Sequence, residues 1–299
     1  MFIFRKNISS NRKYSVTKLA TSQSGDTLAN IFPHVSKKQS MILEFKIDDE
    51  HFAKYNEETK EYDFFHNNIL IPRKNDKLFK FYFFNTNTID SLLNSYFFLA
   101  NPATFNDPFD SNRNLIVDYK EEIDTEKNMN HFEDIGITSF CEDINNPIMW
   151  AHYTNNYRGI AIEFDTSNFK LLIEKDQFVG DSFKSGFSIN KVIYVNYITP
   201  IQKAFKFYKR YLFATKGKYW QVENEWRIIG ELNKEKINRR LKFNPSILKT
   251  VYVGYNLFNE DKTAISLIKS IIQIKYPSAK IYVVKPDKIN LKLTVERIN

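Results

Sequence analysis

The sequence predicts an α+β fold of mixed, mainly antiparallel sheets with flanking helices, and three observations carry that expectation. Short β-branched and aromatic runs are scattered between segments of helical periodicity, unlike the pattern of a doubly wound sheet. Neither a G-x-x-x-x-G-K-[ST] nor a G-x-G-x-x-G stretch occurs, which argues against a P-loop NTPase and a Rossmann oxidoreductase. No internal repeat is visible.

Composition narrows the class. With 299 residues, 42% of them hydrophobic and 27 Phe beside 17 Tyr, the chain can bury a large core and is not a disordered one. Lys and Arg outnumber Asp and Glu by 43 to 35, for a formal charge of +8. That balance weakly favours an anionic partner, but the positive charge is dispersed. The single cysteine, Cys141, excludes an internal disulfide framework and a Cys-rich zinc site. The opening apolar run is too short for a signal peptide and no stretch reaches the length of a membrane span, so a cytoplasmic protein without a membrane partner is expected.

Taken in order, residues 1–76 read as an N-terminal extension or accessory segment and residues 77–299 as the main domain. LFKFYFF, Leu78 to Phe84, is a strand; Thr86 or Thr88 caps a helix over Ile89 to Asn94, and Tyr96 to Leu99 is a further strand. ATFNDPFD, Ala103 to Asp110, is a rigid loop fixed by Pro108. The stretch from Gly136 to Asp165 organises the rest: Ile135 to Phe140 is a strand, Asn145-Asn146-Pro147 a turn, and Met149 to Tyr153 a helix. Asn155, Asn156 and Gly159 close that helix before a strand over Ile160 to Phe164. Beyond it, Phe169 to Lys175 is read as a helix, Gly180 to Asn190 as a loop, Lys191 to Tyr197 as a strand and Pro200 to Phe213 as an amphipathic helix with lysines outside. Alternation runs from Gln221 to Ile229, and strand, helix and strand follow over Ile247 to Tyr255, Asp261 to Ile274 and Lys280 to Lys285.

Within VENEWRI, period-2 geometry sends Glu223, Glu225 and Arg227 to one face of a strand. If that ridge lines a cleft, one carboxylate can bind a sugar hydroxyl and stabilise a cationic sugar-like transition state while Arg227 orients it; the competing reading is a solvated face of cross-strand ion pairs. His152, beside Trp150 and Tyr153, reads more readily as a packing residue than as a base, and no second histidine stands at metal-ligand spacing. Cys141 next to Glu142 is a poor nucleophile. Asn106, Asp107 and Asp110 have the oxygen chemistry of a magnesium or calcium site, or of a metal-dependent nuclease, but a self-capped turn is the simpler account. The basic helix over 200–218 reads as an ordinary solvated face before it reads as a nucleic-acid contact.

These motifs, F-N-D-P-F-D at Phe105 to Asp110, S-F-C-E at Ser139 to Glu142, M-W-x-H-Y with a later glycine at Met149 to Gly159, and E-x-E-x-R at Glu223 to Arg227, resemble in order those of the bacterial family catalogued as domain of unknown function twenty-nine seventy-one. That family is in turn distantly similar to ADP-ribosyltransferases, which read NAD with a basic residue on a first strand, a serine on a second element and a glutamate on a late strand. Lys80, Ser139 and Glu225 occupy those places here, with lysine in place of the usual arginine or histidine. The resemblance implies an ADP-ribosyltransferase-like fold and an ADP-ribosyltransferase or NAD glycohydrolase with Glu225, Glu223 and Arg227 in its catalytic group. It implies NAD contacts from Lys80, Tyr82, Ser139, His152 and Tyr153, no metal, an acceptor that is protein or nucleic acid, and a role as toxin or antiviral defence effector. The alternative is a catalytically inactive module that binds nucleic acid or protein.

Overall fold

The computed structural model describes residues 42–56, 58–59, 61–111, 116–117, 132–168, 183–197, 201–202, 208–233 and 237–298. Within them the fold is α+β, with mixed and mostly antiparallel sheets and few helices. By its own contacts the chain divides into two compact units, Met1–Ile71 and Pro72–Asn299. Among the described residues no helix is long and apolar enough to cross a membrane.

In the first unit, β1 (Ile42–Lys46), β2 (His51–Asn56), β3 (Tyr62–His66) and β4 (Ile69–Leu70) form an antiparallel meander. Its first turn is held by Asp48, whose Oδ1 accepts the main-chain N–H groups of Glu50 and His51 and contacts the His51 ring.

The second unit is built on an eight-stranded sheet. In chain order its strands are β5 (Lys77–Phe83), β6 (Tyr96–Phe98), β7 (Ile116–Val117), β8 (Ile135–Cys141), β9 (Gly159–Asp165), β10 (Phe183–Lys191), β11 (Ile193–Val195), β12 (Ile201–Gln202), β13 (Thr215–Gly217), β14 (Glu225–Leu232), β15 (Arg240–Lys242), β16 (Leu248–Gly254), β17 (Lys280–Asp287) and β18 (Lys292–Arg297). The large sheet runs β10-β14-β8-β5-β9-β16-β17-β18, while β11–β13, β7–β12 and β6–β15 make separate pairs. Only β16 and β17 are parallel within the large sheet, as expected where the helix Lys262–Lys275 forms the crossover between them.

That helix explains one face. Ala264, Ile265, Ile268, Ile271 and Ile272 are buried at three- and four-residue spacing and pack with Leu78, Phe97, Phe140, Phe164, Trp226 and Val251 in the main core. On the opposite face a smaller cluster joins Phe79, Phe81, Cys141, Met149, Trp150 and Val284, covered by the helix α2 (Pro147–Tyr153). α2 starts where the turn chemistry places it: Asn146 Oδ1 accepts from the N–H groups of Ile148 and Met149, and Pro147 opens the first turn. It ends in three consecutive left-handed residues, Asn155, Asn156 and Tyr157, with φ of 52, 54 and 63°. Tyr157 thereby stacks on Trp150 at 5.7 Å, and the Trp150 ring N–H donates to Ile144 O at 2.7 Å.

Several expectations need correction. The helix α1 (Thr86–Asn94) is capped by Asn85, whose Oδ1 accepts from the Thr88 N–H at 3.0 Å, while the Thr88 hydroxyl donates to Phe83 O. The segment read as a loop over 180–190 contains β10, whose register shifts between Phe183 and Phe187 around Gly186; glycine and serine at a bulge look like a loop from sequence alone. Among the described residues of the helix expected over 200–213, Tyr208–Phe213 is helical, whereas Ile201–Gln202 is a strand paired with β7. β18 had no counterpart in the sequence reading. The helix proposed for 169–175 lies outside the described residues.

Gly159 opens β9 at a place with no room for a side chain. A Cβ there would stand 2.1 Å from Tyr82 O and 2.9 Å from Thr154 Cβ, and backbone cannot yield as a flexible side chain does. Gly159→Ala is therefore expected to destabilise the fold by about 3 kcal/mol in chemical denaturation, and a loss under about 0.5 kcal/mol would contradict this packing.

Candidate functional site

The site begins with a gap in the sheet. β5 and β8 are bridged at Phe79 and Cys141 alone. From there β5 stays paired with β9 as far as Phe83, while β8 stays paired with β14 and exchanges two main-chain hydrogen bonds with Ala100 at Ile137. The strands part, and a cavity of about 350 Å³ opens between them. Consecutive residues of both strands, Phe79 to Tyr82 and Ile137 to Cys141, form its walls. Lys80 reaches across the opening and its Nζ donates to Ser139 O at 3.0 Å, where an unbroken sheet would have a main-chain bond.

β14 carries the charged floor. Glu225, Arg227, Ser139 and Cys141 share a face, because Glu225 pairs with Cys141 and Arg227 with Ser139. The Arg227 guanidinium uses all five of its N–H groups. Nε donates to Glu225 Oε1 at 2.8 Å and Nη2 to Glu225 Oε2 at 3.0 Å. Asp110 takes one bond from each Nη, at 2.7 and 2.5 Å, and Phe213 O takes the last at 2.9 Å. With no donor left, Arg227 holds other groups in place.

Lys216 joins the two glutamates. The parallel pair β11–β13 sets Tyr194 opposite Lys216; the Tyr194 hydroxyl accepts the Glu225 N–H at 2.8 Å. Lys216 Nζ lies 2.6 Å from Glu223 Oε2, 3.5 Å from Glu225 Oε2 and 4.0 Å from Asp110. Asn146 ties α2 to the neighbouring turn through Val222 O, so that the Tyr153 hydroxyl donates to Glu223 Oε1 at 2.6 Å.

The two carboxyls are pushed apart in acidity. Burial alone would raise Glu225, but the charges of Arg227 and Lys216 and hydrogen bonds from Arg227 and Ser139 outweigh it and hold the carboxyl at about 2. Glu223 moves the other way: burial and the Glu225 charge raise it, and Lys216 and Tyr153 only partly offset them. The two lysines also diverge. Burial lowers Lys80 to about 8, with only the Glu225 charge opposing, whereas Lys216 is raised, its acidic neighbours outweighing burial. Burial pushes the Cys141 thiol up to about 12, which makes it unfit as a nucleophile at neutral pH.

The structure thus brings Lys80, Tyr82, Ser139, Tyr153, Glu223, Glu225 and Arg227 to one cavity. Two expectations change. Glu223 is not on the strand: it ends a 3-10 turn, Lys218–Glu223, and Asn224 follows with φ 45°, so the bridging lysine rather than strand alternation sets it beside Glu225. The ridge is not a solvated face, since Glu223, Glu225 and Arg227 are 2%, 5% and 1% exposed. His152 stands apart: it is exposed and does not line the cavity, because α2 turns Met149 and Tyr153 inward instead.

Two members escaped the sequence reading. Asp110 was grouped with Asp107 as a turn or metal site, yet both its oxygens serve Arg227, while Asp107 Oδ1 accepts the Phe109 N–H. Among the described residues no group of three His, Cys, Asp or Glu could hold a metal ion. Lys216 looked like part of a basic surface and is buried.

Arg227→Met leaves Asp110 and Glu225 with only the more distant Lys216 and is expected to cost about 3–5 kcal/mol in a denaturant titration. A depressed carboxyl such as Glu225 contributes stability that is complete above its ordinary value of 4.5 and is lost as pH falls towards about 2. Glu225→Gln should therefore flatten the acid limb of a melting-temperature profile over that window; an unchanged slope would count against an ionised Glu225.

A family model described as "Protein of unknown function (DUF2971)" matches residues 149–228, the span that holds Tyr153, Lys216, Glu223, Glu225 and Arg227. No curated protein and no solved structure matches the chain.

Proposed function

We propose that this chain is an NAD-cleaving enzyme of the ADP-ribosyltransferase type, working on the nicotinamide–ribose bond in the cavity between β5 and β8. One observation carries the reading: Glu225 is a buried carboxylate kept ionised by Arg227 and Lys216 while lining a cavity open to a ligand. A fixed negative charge in a partly dehydrated site suits a reaction whose transition state develops positive charge on a sugar ring. The order of Lys80 on β5, Ser139 on β8 and Glu225 on β14 supports it, as does the separation of acidities between the glutamates.

In this mechanism the C–N bond breaks with its electron pair leaving on nicotinamide, and Glu225 stabilises the oxocarbenium-like ribose left behind. Glu223, raised towards the working pH, takes the proton of the attacking water or acceptor hydroxyl. Arg227 and Asp110 hold Glu225, and Lys216 keeps the carboxyls in register. Tyr82 and Tyr153 offer rings to nicotinamide, with Ser139 and Lys80 contacting the cofactor.

Nicotinamide release from NAD is the test, with and without cell extract as a source of acceptor. Wild type should release it, and Glu225→Gln should lower the rate by about 10²–10³-fold with the fold intact. Stimulation by extract would indicate transfer, and its absence hydrolysis. A protein that neither binds nor cleaves NAD would overturn the proposal.

A further inference from the structure

Two lysines line one cavity in opposite surroundings. Lys216 has three acids around it. Lys80 has none in contact and feels only the Glu225 charge at longer range: its Nζ donates to Ser139 O and lies 5.4 Å from the ring centroids of both Tyr82 and Phe140. Among the described residues no carboxylate comes within ion-pair distance of it.

A lysine so placed has a specific chemistry. As a neutral amine it carries two N–H groups and one lone pair; the Ser139 carbonyl takes one N–H and ring faces do not engage the lone pair. The surrounding wall is aromatic, with Phe79, Phe81, Phe98 and Phe105, and desolvation of this kind makes a lysine a nucleophile towards carbonyl groups. Thr138 lines the same cavity and is 2% exposed, and its buried Oγ1 has no hydrogen-bond partner.

We propose that Lys80 is a carbonyl-condensing amine that captures the aldehyde of an aromatic or open-chain sugar ligand as an imine. The Nζ lone pair adds to the carbonyl carbon, the carbonyl oxygen takes up a proton to give a carbinolamine, and water leaves as the C=N bond forms. Amine plus aldehyde give imine plus water, with no oxidant or reductant. The burial that makes the Lys80 ammonium more acidic, with a pKa of about 8, leaves a fraction of it as free amine near neutral pH. This inference goes beyond the NAD reading and does not require it, although ADP-ribose, the product of NAD cleavage, has an open-chain aldehyde.

The test is reductive trapping of wild-type protein with cyanoborohydride at pH 7.5, with benzaldehyde in one arm and ADP-ribose in the other, followed by peptide mass mapping. Lys80 should be labelled about tenfold faster than the exposed lysines Lys280 and Lys288 in at least one arm. In Lys80→Arg that fast label should vanish while Lys280 and Lys288 label as before. Preference in the ADP-ribose arm alone would support capture of a sugar aldehyde, and preference in both a general aldehyde site. Lys80 labelling at the pace of Lys280 and Lys288 in both arms would overturn the proposal, and this holds whether or not NAD is cleaved.

Discussion

The guanidinium of Arg227 is the constraint on which the site depends. It is 1% exposed, and a cation so far from water persists only with its donors and charge matched. Asp110 and Glu225 match the charge, and five acceptor contacts from Asp110, Glu225 and Phe213 O complete its bonding. Each partner comes from a different part of the chain: the loop before β7, the strand itself, and the end of the helix Tyr208–Phe213. The ion network thus ties three segments together, and the same bonds that satisfy Arg227 keep Glu225 ionised where a ligand can reach it.

The parting of β5 from β8 gives that carboxylate an accessible face. A sheet in which both strands stayed paired would seal the groups now lining the cavity. The gap is stable because its polar edges are met by other means: Ala100 pairs with Ile137, and Lys80 bonds Ser139 O. Lys80 therefore helps to hold open the cavity that it lines.

What was legible in the sequence was whatever local chemistry specifies. Asn146, Pro147, the Asn155–Asn156 pair and Gly159 bracket α2 and its strands, and each acts within a few residues. Period-2 spacing likewise set Glu225 and Arg227 on one face of β14. Long-range matching was not legible. Asp110 finds Arg227 across 117 positions, and a motif with three side-chain oxygens looks like a turn or a metal site until that partner is known. Lys216, in the run Thr215-Lys216-Gly217-Lys218, resembles solvent-facing charge because nothing in that run reveals the two glutamates it joins. Alternation failed at Asn224, whose left-handed backbone ends one element before the next begins, and His152 was credited with its neighbours' inward orientation. The ADP-ribosyltransferase layout came from resemblance and remains a proposal; the geometry contributes the cavity and the charged pair.

Arg227 and Lys216 hold the Glu225 carboxyl down while burial and the Glu225 charge raise Glu223, and carbon NMR of protein labelled at the glutamate carboxyls measures this separation directly. With Glu223→Gln and Glu225→Gln used for assignment, one carboxyl should titrate near 2 and the other above the ordinary glutamate value of 4.5. Both titrating together near 4.5 would contradict the buried network and remove the physical basis for a charged Glu225 in the cavity.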